Sequence, residues 1–496
     1  MTVQKAARAG AWSAIDTIMR QGVSFVVLMV LARLLTPADF GVVALAAFFS
    51  SLSIVFVQGG LSQALLQHKE TSREQESAVF WWNLGGSLLC AGLLMGIAPF
   101  VARFYGYPLL VPLMFMAAGQ VVFAAFGAVQ TSLLTRALRF DRLALAGTIA
   151  SIASGAIGIV AALQGLGAWA LALQLASLAA VNSALLWGLS GWRPVFHARF
   201  ATMRGIFESG IYLSLSGALD VVYTQGFSAI IGKLYGAGDL GLYNRAYSTQ
   251  ALPGGVLGSV VARTSLPLFV ARIGDDDALR RAMRMANSLA MILNVPAMIG
   301  LAILSDLVIV TLFGDQWVPA APILAVLAIA GILLPLHLIN LQLLLALAQS
   351  RLFFRNEVIK KLAAASFVVV GSFFGVMGLA WATVLFSGIG LWINSHAARS
   401  TLGYGPALQL WDLKGLIIPS AAMVALVLLL RPYIPFSPPV SLGVLAAAGA
   451  LVYFGVGLAL RSRSFLDATT FATSLWKREA PLEAPASDSG PPQNLL

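Results

Sequence analysis

Charge is scarce in this chain. Of its 496 residues only 10% are Asp, Glu, Lys or Arg, against about a quarter in soluble domains. With 59% hydrophobic residues and a mean hydropathy of +0.86, the apolar surface exceeds what a soluble core can bury. A bilayer can take it, so the chain reads as a polytopic membrane protein. Cysteine is nearly absent too. The single Cys90 excludes an intramolecular disulfide and any Cys-based metal cluster; it lies in an apolar run and reads as a small apolar residue. The four histidines, His68, His197, His337 and His396, are scattered without metal-ligand spacing. No Walker A motif is present, which excludes ATP as the direct energy source. No connection is long: the largest, "GWRPVFHARFATMRGIF" at Gly191–Phe207, leaves no room for a folded soluble domain. A membrane polymerase or ligase needs a sizeable outer loop for donor and acceptor, and that class is excluded with it.

What is abundant is spanning sequence. A membrane helix needs about 20 apolar residues. Fourteen segments qualify, at 12–35, 40–66, 78–102, 109–134, 143–163, 167–189, 208–233, 239–266, 285–312, 320–347, 357–375, 378–398, 414–431 and 438–460. The 47 glycines fit this reading, because Gly is commoner in membrane helices and lets them approach closely. Lys5 and Arg8 precede the first span, whose apolar run is longer than the roughly 7–15 residues of a signal-peptide core. The expectation is an uncleaved first helix with the N-terminus in the cytoplasm.

The 31 basic residues test that topology. With the N-terminus inside, 24 of them fall at inner ends, among them Lys69 and Arg73, Arg136, Arg139 and Arg142, Arg280, Arg281 and Arg284, and Lys360 and Lys361. Five fall outside (Arg33, Arg103, Lys233, Arg245 and Arg431), and Arg20 and Arg263 lie within spans. This asymmetry is the positive-inside rule. It supports fourteen spans with both termini inside and accounts for the +11 net charge without nucleic acid. The tail "KREAPLEAPASDSGPPQNLL" is rich in Pro, Ala and Ser and reads as disordered.

The chain repeats itself. "ARLLTPADFG" at Ala32–Gly41 returns as "GKLYGAGDLG" at Gly232–Gly241, an offset of 200 that pairs Arg33 with Lys233, Asp39 with Asp239 and Gly41 with Gly241. Asn83 falls opposite Asn287, and "RFYGYPLLVP" (Arg103–Pro112) returns as "TLFGDQWVPAAP" (Thr311–Pro322) at an offset of about 208. Six spans therefore form the repeating unit, in parallel orientation, with two extra spans at the end. Internal repeats of this kind mark transporters. The expected organisation is an N-lobe at 1–190, an inter-lobe linker at 191–207, a C-lobe at 208–400, two further spans at 401–463 and a cytoplasmic tail at 464–496.

Several of these stretches resemble a known family. "LARLLTPADFGVVALA" followed by "GGLSQALLQHKE" resembles the first two helices of Wzx-type oligosaccharide-unit flippases, the colanic-acid-exporter-like proteins. "IIGKLYGAGDLGLYNRAYSTQALPGG" with "TSLPLF" resembles their seventh and eighth helices, and "VPAMIGLAILSDLVIVTLFGDQWVPAAPIL" their ninth and tenth. The resemblance covers roughly residues 10–350. It implies the fold of the multidrug/oligosaccharidyl-lipid/polysaccharide exporter superfamily: all-α, two six-helix lobes in a V around a central cavity. It also implies the cargo, a polyprenyl-diphosphate-linked oligosaccharide turned from the inner to the outer leaflet of a bacterial cytoplasmic membrane. No cofactor is implied beyond a coupling proton or Na+. The implied partners are the lipid-linked oligosaccharide, membrane lipids and the polysaccharide polymerase and export machinery, with no nucleic acid and no enzymatic reaction.

Such a cargo has many hydroxyls and a charged diphosphate, so a polar cavity with cationic groups is required. Ionisable groups inside spans are costly and usually face such cavities. By the resemblance, spans 1, 2, 7 and 8 line it. The candidates for substrate binding are Arg20, Gln58, Gln225, Asn244, Arg245 and Arg263, and for ion coupling Asp16 and Asp220. Asp16 and Arg20 share a helix face, so mutual neutralisation competes with a site. Arg245 and Arg263 are also in phase and would mark the two ends of one wall. Arg offers a fork suited to phosphate oxygens; against this stand snorkelling for Arg263 and interface anchoring for Arg245. Two apparent motifs are set aside. "GAGDLG" matches a dinucleotide-binding pattern but has no βαβ unit around it. "GDDDAL" reads as an acidic N-cap rather than a metal site. The rival function is a cation-coupled exporter of the multidrug and toxic compound extrusion type, which favours acidic and aromatic cavity groups over arginines.

Overall fold

A computed structural model describes residues 3–56, 60–62, 65, 71–196, 204–461 and 465–466; for 3–18, 204–209, 211–213, 223, 256 and 350–351 only the backbone is described. Every regular element among these residues is helical, as hydrocarbon demands of a spanning chain outside closed barrels. In the first repeat the helices are α1 (Val3–Leu34), α2 (Pro37–Ile54), α3 (Arg73–Tyr105), α4 (Leu110–Arg136), α5 (Phe140–Leu163) and α6 (Ala168–Ser190). The second begins with α7 (Arg204–Leu234), α8 (Ala237–Val270), α9 (Asp276–Ile303) and α10 (Ser305–Phe313). A 3-10 segment (Asp315–Ala320) leads to α11 (Ala321–Gly331), α12 (Leu334–Ala346), α13 (Ser350–Gly371) and α14 (Gly375–Asn394). Short α15 (His396–Leu402) and α16 (Pro406–Asp412) precede α17 (Ile417–Leu430) and α18 (Pro438–Ala459).

Eleven stretches among the described residues are long and apolar enough to cross a membrane. They carry twelve of the fourteen expected spans, because Leu352–Leu402 holds both the eleventh and the twelfth. The expected spans 1 and 7 fall on α1 and α7, much of which has only its backbone described, and neither is among the eleven.

Local chemistry sets the helix ends. The Thr36 hydroxyl accepts from the Asp39 backbone N–H while the Asp39 carboxylate accepts from the Thr36 N–H, a capping box that starts α2. Ser72 and Gln75 do the same for α3. Asp275 caps α9 by accepting from Ala278 N–H at 2.8 Å, so the "GDDDAL" carboxylates serve a helix start. Each such cap contributes about 1 kcal/mol.

The chain divides into two packed units. Unit 1 comprises Met1–Ser248, Val308–Ile323 and Val368–Ala380; unit 2 comprises Thr249–Leu307, Leu324–Phe367 and Trp381–Leu496. In unit 1, α1 lies along α5, α5 along α6, and α4 packs on both α3 and α6. Phe80, Phe126, Trp187 and Trp192 form its aromatic cluster. Residues 191–196, the start of the expected linker, are strapped to α3: Trp192 Nε1 donates to Glu76 at 2.9 Å, Trp81 Nε1 to Val195 O at 3.0 Å, and Val195 N–H to the Ser77 hydroxyl at 3.0 Å. Glu76 also pairs with Arg136 at 2.8 Å. Residues 197–203 lie outside the described residues.

In unit 2, α9 is the central helix, packed on α12, α15 and α17, while α17 and α18 pair as a hairpin. The tenth expected span is broken between α11 and α12, where Pro335 supplies no N–H. The freed carbonyls do not stay unpaired. Asn294 Nδ2 on α9 donates to Gly331 O at 3.0 Å and Ile332 O at 2.9 Å. In hydrocarbon there is no water to take that place. Asn294 is fully buried. Asn294→Ala removes both bonds and strands two carbonyls, at a cost of about 1–3 kcal/mol; a clear drop in the thermal midpoint of the detergent-purified protein is expected, and an unchanged midpoint would contradict this account.

Candidate functional site

Unit 1 encloses a cavity of about 820 Å³. Its walls come from α1, α4, α5 and α6, with Ser62 from the chain beyond α2. Of the eighteen described lining residues ten are uncharged polar (Gln21, Ser24, Ser62, Gln120, Thr131, Ser132, Thr135, Ser151, Asn182 and Ser183), and the one charged residue among them is Arg20. A polar wall inside membrane-spanning helices is expensive unless it faces a cavity or a partner.

The sequence builds this wall by helical spacing. On α4, Gln120, Ala124, Gly127/Ala128, Thr131 and Thr135 recur every three to four residues. On α6 the same period runs through Leu175, Leu178/Ala179 and Asn182/Ser183. Small residues elsewhere on α5 let α1 and α6 come close, as membrane helices do. Several hydroxyls spend their proton on the backbone. Thr131 donates to Gly127 O at 2.9 Å, Thr135 to Thr131 O at 2.8 Å, and Ser132 to Ser62 O at 2.9 Å. Asn83 Nδ2 in turn donates to the Ser62 hydroxyl at 2.9 Å. A hydroxyl so used still has acceptor capacity. The wall thus offers acceptors to hydroxyl-bearing cargo, while Gln and Asn amides and Arg20 offer donors.

Arg20 reaches its place because α5 has a glycine opposite it. A Cβ on Gly147 would overlap Arg20 Cδ and would stand 3.1 Å from Nε and 3.3 Å from Nη1. The side chain therefore lies along α5 with its guanidinium group at the cavity wall, exposed rather than buried.

The other sequence candidates are dispersed. Gln58 lies outside the described residues, and Asp16 sits in α1 where only the backbone is described. Asp220 is exposed on α7, and Gln225 is half-buried on the same helix. Asn244 on α8 is half-buried and its Oδ1 accepts from the Ser228 hydroxyl at 3.2 Å. Arg263 is exposed on the part of α8 that belongs to unit 2. Arg245 is buried, 5% exposed, with its guanidinium carbon 4.6 Å from the Phe40 ring, 5.1 Å from Phe313 and 5.4 Å from Trp317. Of the described ones, Asp220, Gln225, Asn244, Arg245 and Arg263, none is among the lining residues. Sequence reasoning confined its candidates to spans 1, 2, 7 and 8 and so missed the neutral lining of α4 and α6; the polar stripe at helical spacing was the available signal. Among the described residues no group of three or more His, Cys, Asp or Glu could hold a metal.

The chain matches known proteins in both sequence and fold. A family model described as "Polysaccharide biosynthesis protein" matches residues 30–322. The succinoglycan biosynthesis transport protein ExoT of Rhizobium meliloti is 28% identical over 425 residues, 84% of either chain. The lipopolysaccharide biosynthesis protein WzxC of Escherichia coli is 26% identical over 379 residues, 75% of this chain and 76% of that one. The teichuronic acid biosynthesis protein TuaB of Bacillus subtilis is 25% identical over 461 residues, 91% of this chain and 95% of that one. Among solved structures, the lipid II flippase MurJ in an inward closed conformation aligns with a TM-score of 0.73 at 15% identity, over 94% of this chain and 99% of that one. An inward-facing multidrug resistance transporter of the MATE family aligns with a TM-score of 0.58 at 14% identity, over 78% and 98%. At such identities these two likenesses concern the fold.

The cavity can be tested without knowing its cargo. In a Cys90→Ser background, Asn182→Cys and Thr131→Cys should react with a water-soluble maleimide, while Ser154→Cys, at a position 1% exposed and outside the lining, should not. Adding Gly147→Leu drives Arg20 off α5 into the cavity and should slow both reactions severalfold. Equal rates at all three positions would show that the space is not open to water.

Proposed function

This chain belongs to the polysaccharide biosynthesis protein family, and we propose that it is a flippase. It carries a polyprenyl-diphosphate-linked oligosaccharide repeat unit from the inner to the outer leaflet of the cytoplasmic membrane by alternating access. Its product supplies exopolysaccharide, O-antigen or capsule. The observation that carries this reading is the cavity: ten neutral polar side chains with one arginine, and no carboxylate among the described lining residues. Sugar hydroxyls exchange water for wall acceptors and amides one for one. Arg20 presents a planar fork to diphosphate oxygens. The polyprenyl tail needs no site, since it remains in lipid. The relatives support the same reading by name: polysaccharide biosynthesis and transport proteins by sequence, and a lipid II flippase by fold. A cation-coupled drug exporter of the same fold is the second reading, since the relatives by sequence are polysaccharide biosynthesis and transport proteins.

The finer picture follows the sequence. Fourteen spans with both termini in the cytoplasm place the α7–α8 connection outside and the α8–α9 connection inside. The membrane is the inner membrane of a bacterium, with a polysaccharide polymerase taking up the flipped unit. Asp16 and Asp220 are the ion-coupling candidates, with a proton or Na+ as the coupling ion; Gln58, Gln225, Asn244 and Arg263 are further cargo contacts on the route. No chemical reaction is assigned to the chain.

Two measurements test these points. Loss of a charge-assisted contact is worth about 1.5–3 kcal/mol, or roughly ten- to a hundredfold in binding. Arg20→Ala should therefore reduce glycan export by about that factor, with lipid-linked units accumulating on the cytoplasmic leaflet; full export at equal protein level would sink the assignment. Reporter fusions should be active outside after Gly236 and inside after Gly274, and the reverse pattern would invert the topology.

A further inference from the structure

Unit 2 holds two charged side chains where hydrocarbon disfavours them. By sequence the eleventh span starts at 357, with Lys360 and Lys361 at its inner end. In the structure that helix starts earlier. α13 runs Ser350–Gly371, so Lys360 is the eleventh of its 22 residues. At 1.5 Å per residue such a helix is about 33 Å long, roughly the thickness of the hydrocarbon, and Lys360 falls near its middle. The Lys360 side chain is 15% exposed and that of Glu357 30%, and the two form an ion pair one turn apart. Ionised groups at such a depth are costly and point to function.

The pair bears on a histidine. His337 of α12 is partly buried, and Lys360 is the charged side chain that acts on its ring. Both ring nitrogens are engaged by α14. Asn394 Nδ2 donates to Nδ1 at 3.3 Å, and Nε2 stands 3.3 Å from Ser387 Oγ. Ser387 gives its own proton to Ala330 O at 3.1 Å, so its oxygen accepts from Nε2–H and the ring is neutral. Ala330 lies in the last turn of α11, where the tenth span breaks. The ring rests on bare backbone: a Cβ on Gly390 would stand 3.2 Å from His337 Cε1. Asn394 Oδ1 is buried without a partner, on a residue 4% exposed. The remaining charges on the helices around the ring are few. α14 carries none, and α12 none besides His337. α13 adds Arg355 and Lys361, and α8 in unit 2 adds the exposed Arg263. α15 adds His396 and Arg399, both exposed. α9 carries Asp276, Asp277, Arg280, Arg281 and Arg284 in its first turns, with Arg284 paired to Asp412 at 3.0 Å.

We propose that His337 is a proton-binding site, with the Glu357–Lys360 pair setting its charge environment and Asn394 as its switching partner. The proposal names the coupling ion of the flippase reading and rests on that reading for the cycle, though not for the binding. The arrangement described is the proton-free one. On uptake a proton joins the Nδ1 lone pair, no bond between heavy atoms changes, and the ring gains one positive charge. Nδ1–H then faces the Asn394 N–H, donor against donor, and that hydrogen bond is lost. Turning the Asn394 amide over brings its spare Oδ1 to the new N–H, a charge-assisted bond. The charged ring also stands in the field of the Lys360 ammonium, which Glu357 offsets. The sign follows: lowering the pH disfavours the packing of α13 beside His337, and raising it restores that packing. The strain falls next to the break in the tenth span, where the helix is already interrupted and bends most easily. A histidine kept only to fill space needs neither a spare buried acceptor nor an ion pair at its side.

The test reads proton binding directly and needs no cargo. Full-length protein in lipid discs, carrying 13C at the histidine Cε1 positions, is titrated from about pH 4 to about pH 8, the spread of imidazoles in proteins. His337→Gln identifies the His337 signal by its loss. That signal should move with pH. Glu357→Gln should lower its proton affinity about tenfold and Lys360→Gln should raise it about tenfold, as expected of one unit charge at short range in an effective dielectric of about 20. A misfolded variant does not give shifts of opposite sign. Ala364, one turn beyond Lys360 on the same face, is 4% exposed and reports the packing of α13. In a Cys90→Ser background, the maleimide labelling rate of Ala364→Cys is divided by that of its His337→Gln counterpart at the same pH. This ratio should rise severalfold between about pH 8 and about pH 5. A His337 signal that stays in one place overturns the proposal. So do variant shifts of the same sign, or a labelling ratio that does not change. His337→Gln should also cut glycan export severalfold at equal membrane level, and full export would remove this proton from the cycle. Full export by Arg20→Ala would sink the cargo contact and leave the titration standing, so the two readings fail separately.

Discussion

Within hydrocarbon a backbone amide or carbonyl has no water to turn to, and the rest of this structure depends on that constraint. It makes every described regular element a helix and turns every interruption into a debt of hydrogen bonds. The break before Pro335 shows how the debt is met: Asn294 reaches across from α9 to the two freed carbonyls. The helix ends of α3 and α10 show a second solution, in which a lysine and an arginine from distant sequence supply the donors. Polar side chains inside the spans are therefore of two kinds. Some repair the backbone. Those left over, gathered on α1, α4, α5 and α6, make a wall whose hydroxyls are anchored to carbonyls and still accept.

Two arginines mark the difference between these roles. Arg20 is exposed along α5 because Gly147 leaves a groove for its aliphatic stem. Its guanidinium group lies at the cavity wall. Arg245 is buried among three rings whose π faces attract its charge. The first is open to the cavity. A phosphate could reach the second only after Phe40, Phe313 and Trp317 had moved apart. The same residue type thus stands at an open polar wall in one place and inside a cage of rings in the other.

Much of the fold was legible because it rests on long-range periodicity. Apolar runs located the helices, and the Thr36–Asp39 and Asp275 starts are short-range signals of a familiar kind. The resemblance read from Leu31–Ala46 and from Ile230–Gly255 agrees with the family match over residues 30–322. The candidate site was legible only in part. Arg20 was found because a charge in a span is conspicuous; Gln120, Thr131, Asn182 and Ser183 were not, because a neutral polar residue in a helix is common and its direction depends on which neighbour packs behind it. The offset of 200 between Gly41 and Gly241 was visible, but similarity between two segments does not say that they touch. That took the backbone positions, in which a Cβ on Gly41 would overlap the carbonyl oxygen of Ala237 and one on Gly241 that of Pro37, and with them the glycines change meaning from repeat markers to the only residues that fit.

A wall with one cation is a sensible match to a cargo that must be let go. Each added arginine would deepen the hold on the diphosphate, and a deeper well on one side slows release on the other. Many hydroxyl and amide contacts hold a polyol differently, since each is weak and each is exchangeable for water on opening. A lipid-anchored cargo also arrives by diffusion in the plane of the membrane, which raises its effective concentration and lowers the affinity that loading requires. Under those conditions specificity for charge needs one well-placed fork and tolerance of sugar composition needs a neutral wall. The described lining has an arginine and ten neutral polar side chains. A wall built instead around a carboxylate would repel the diphosphate and admit cations, so the sign of the charge in such a wall is what separates the two transport chemistries.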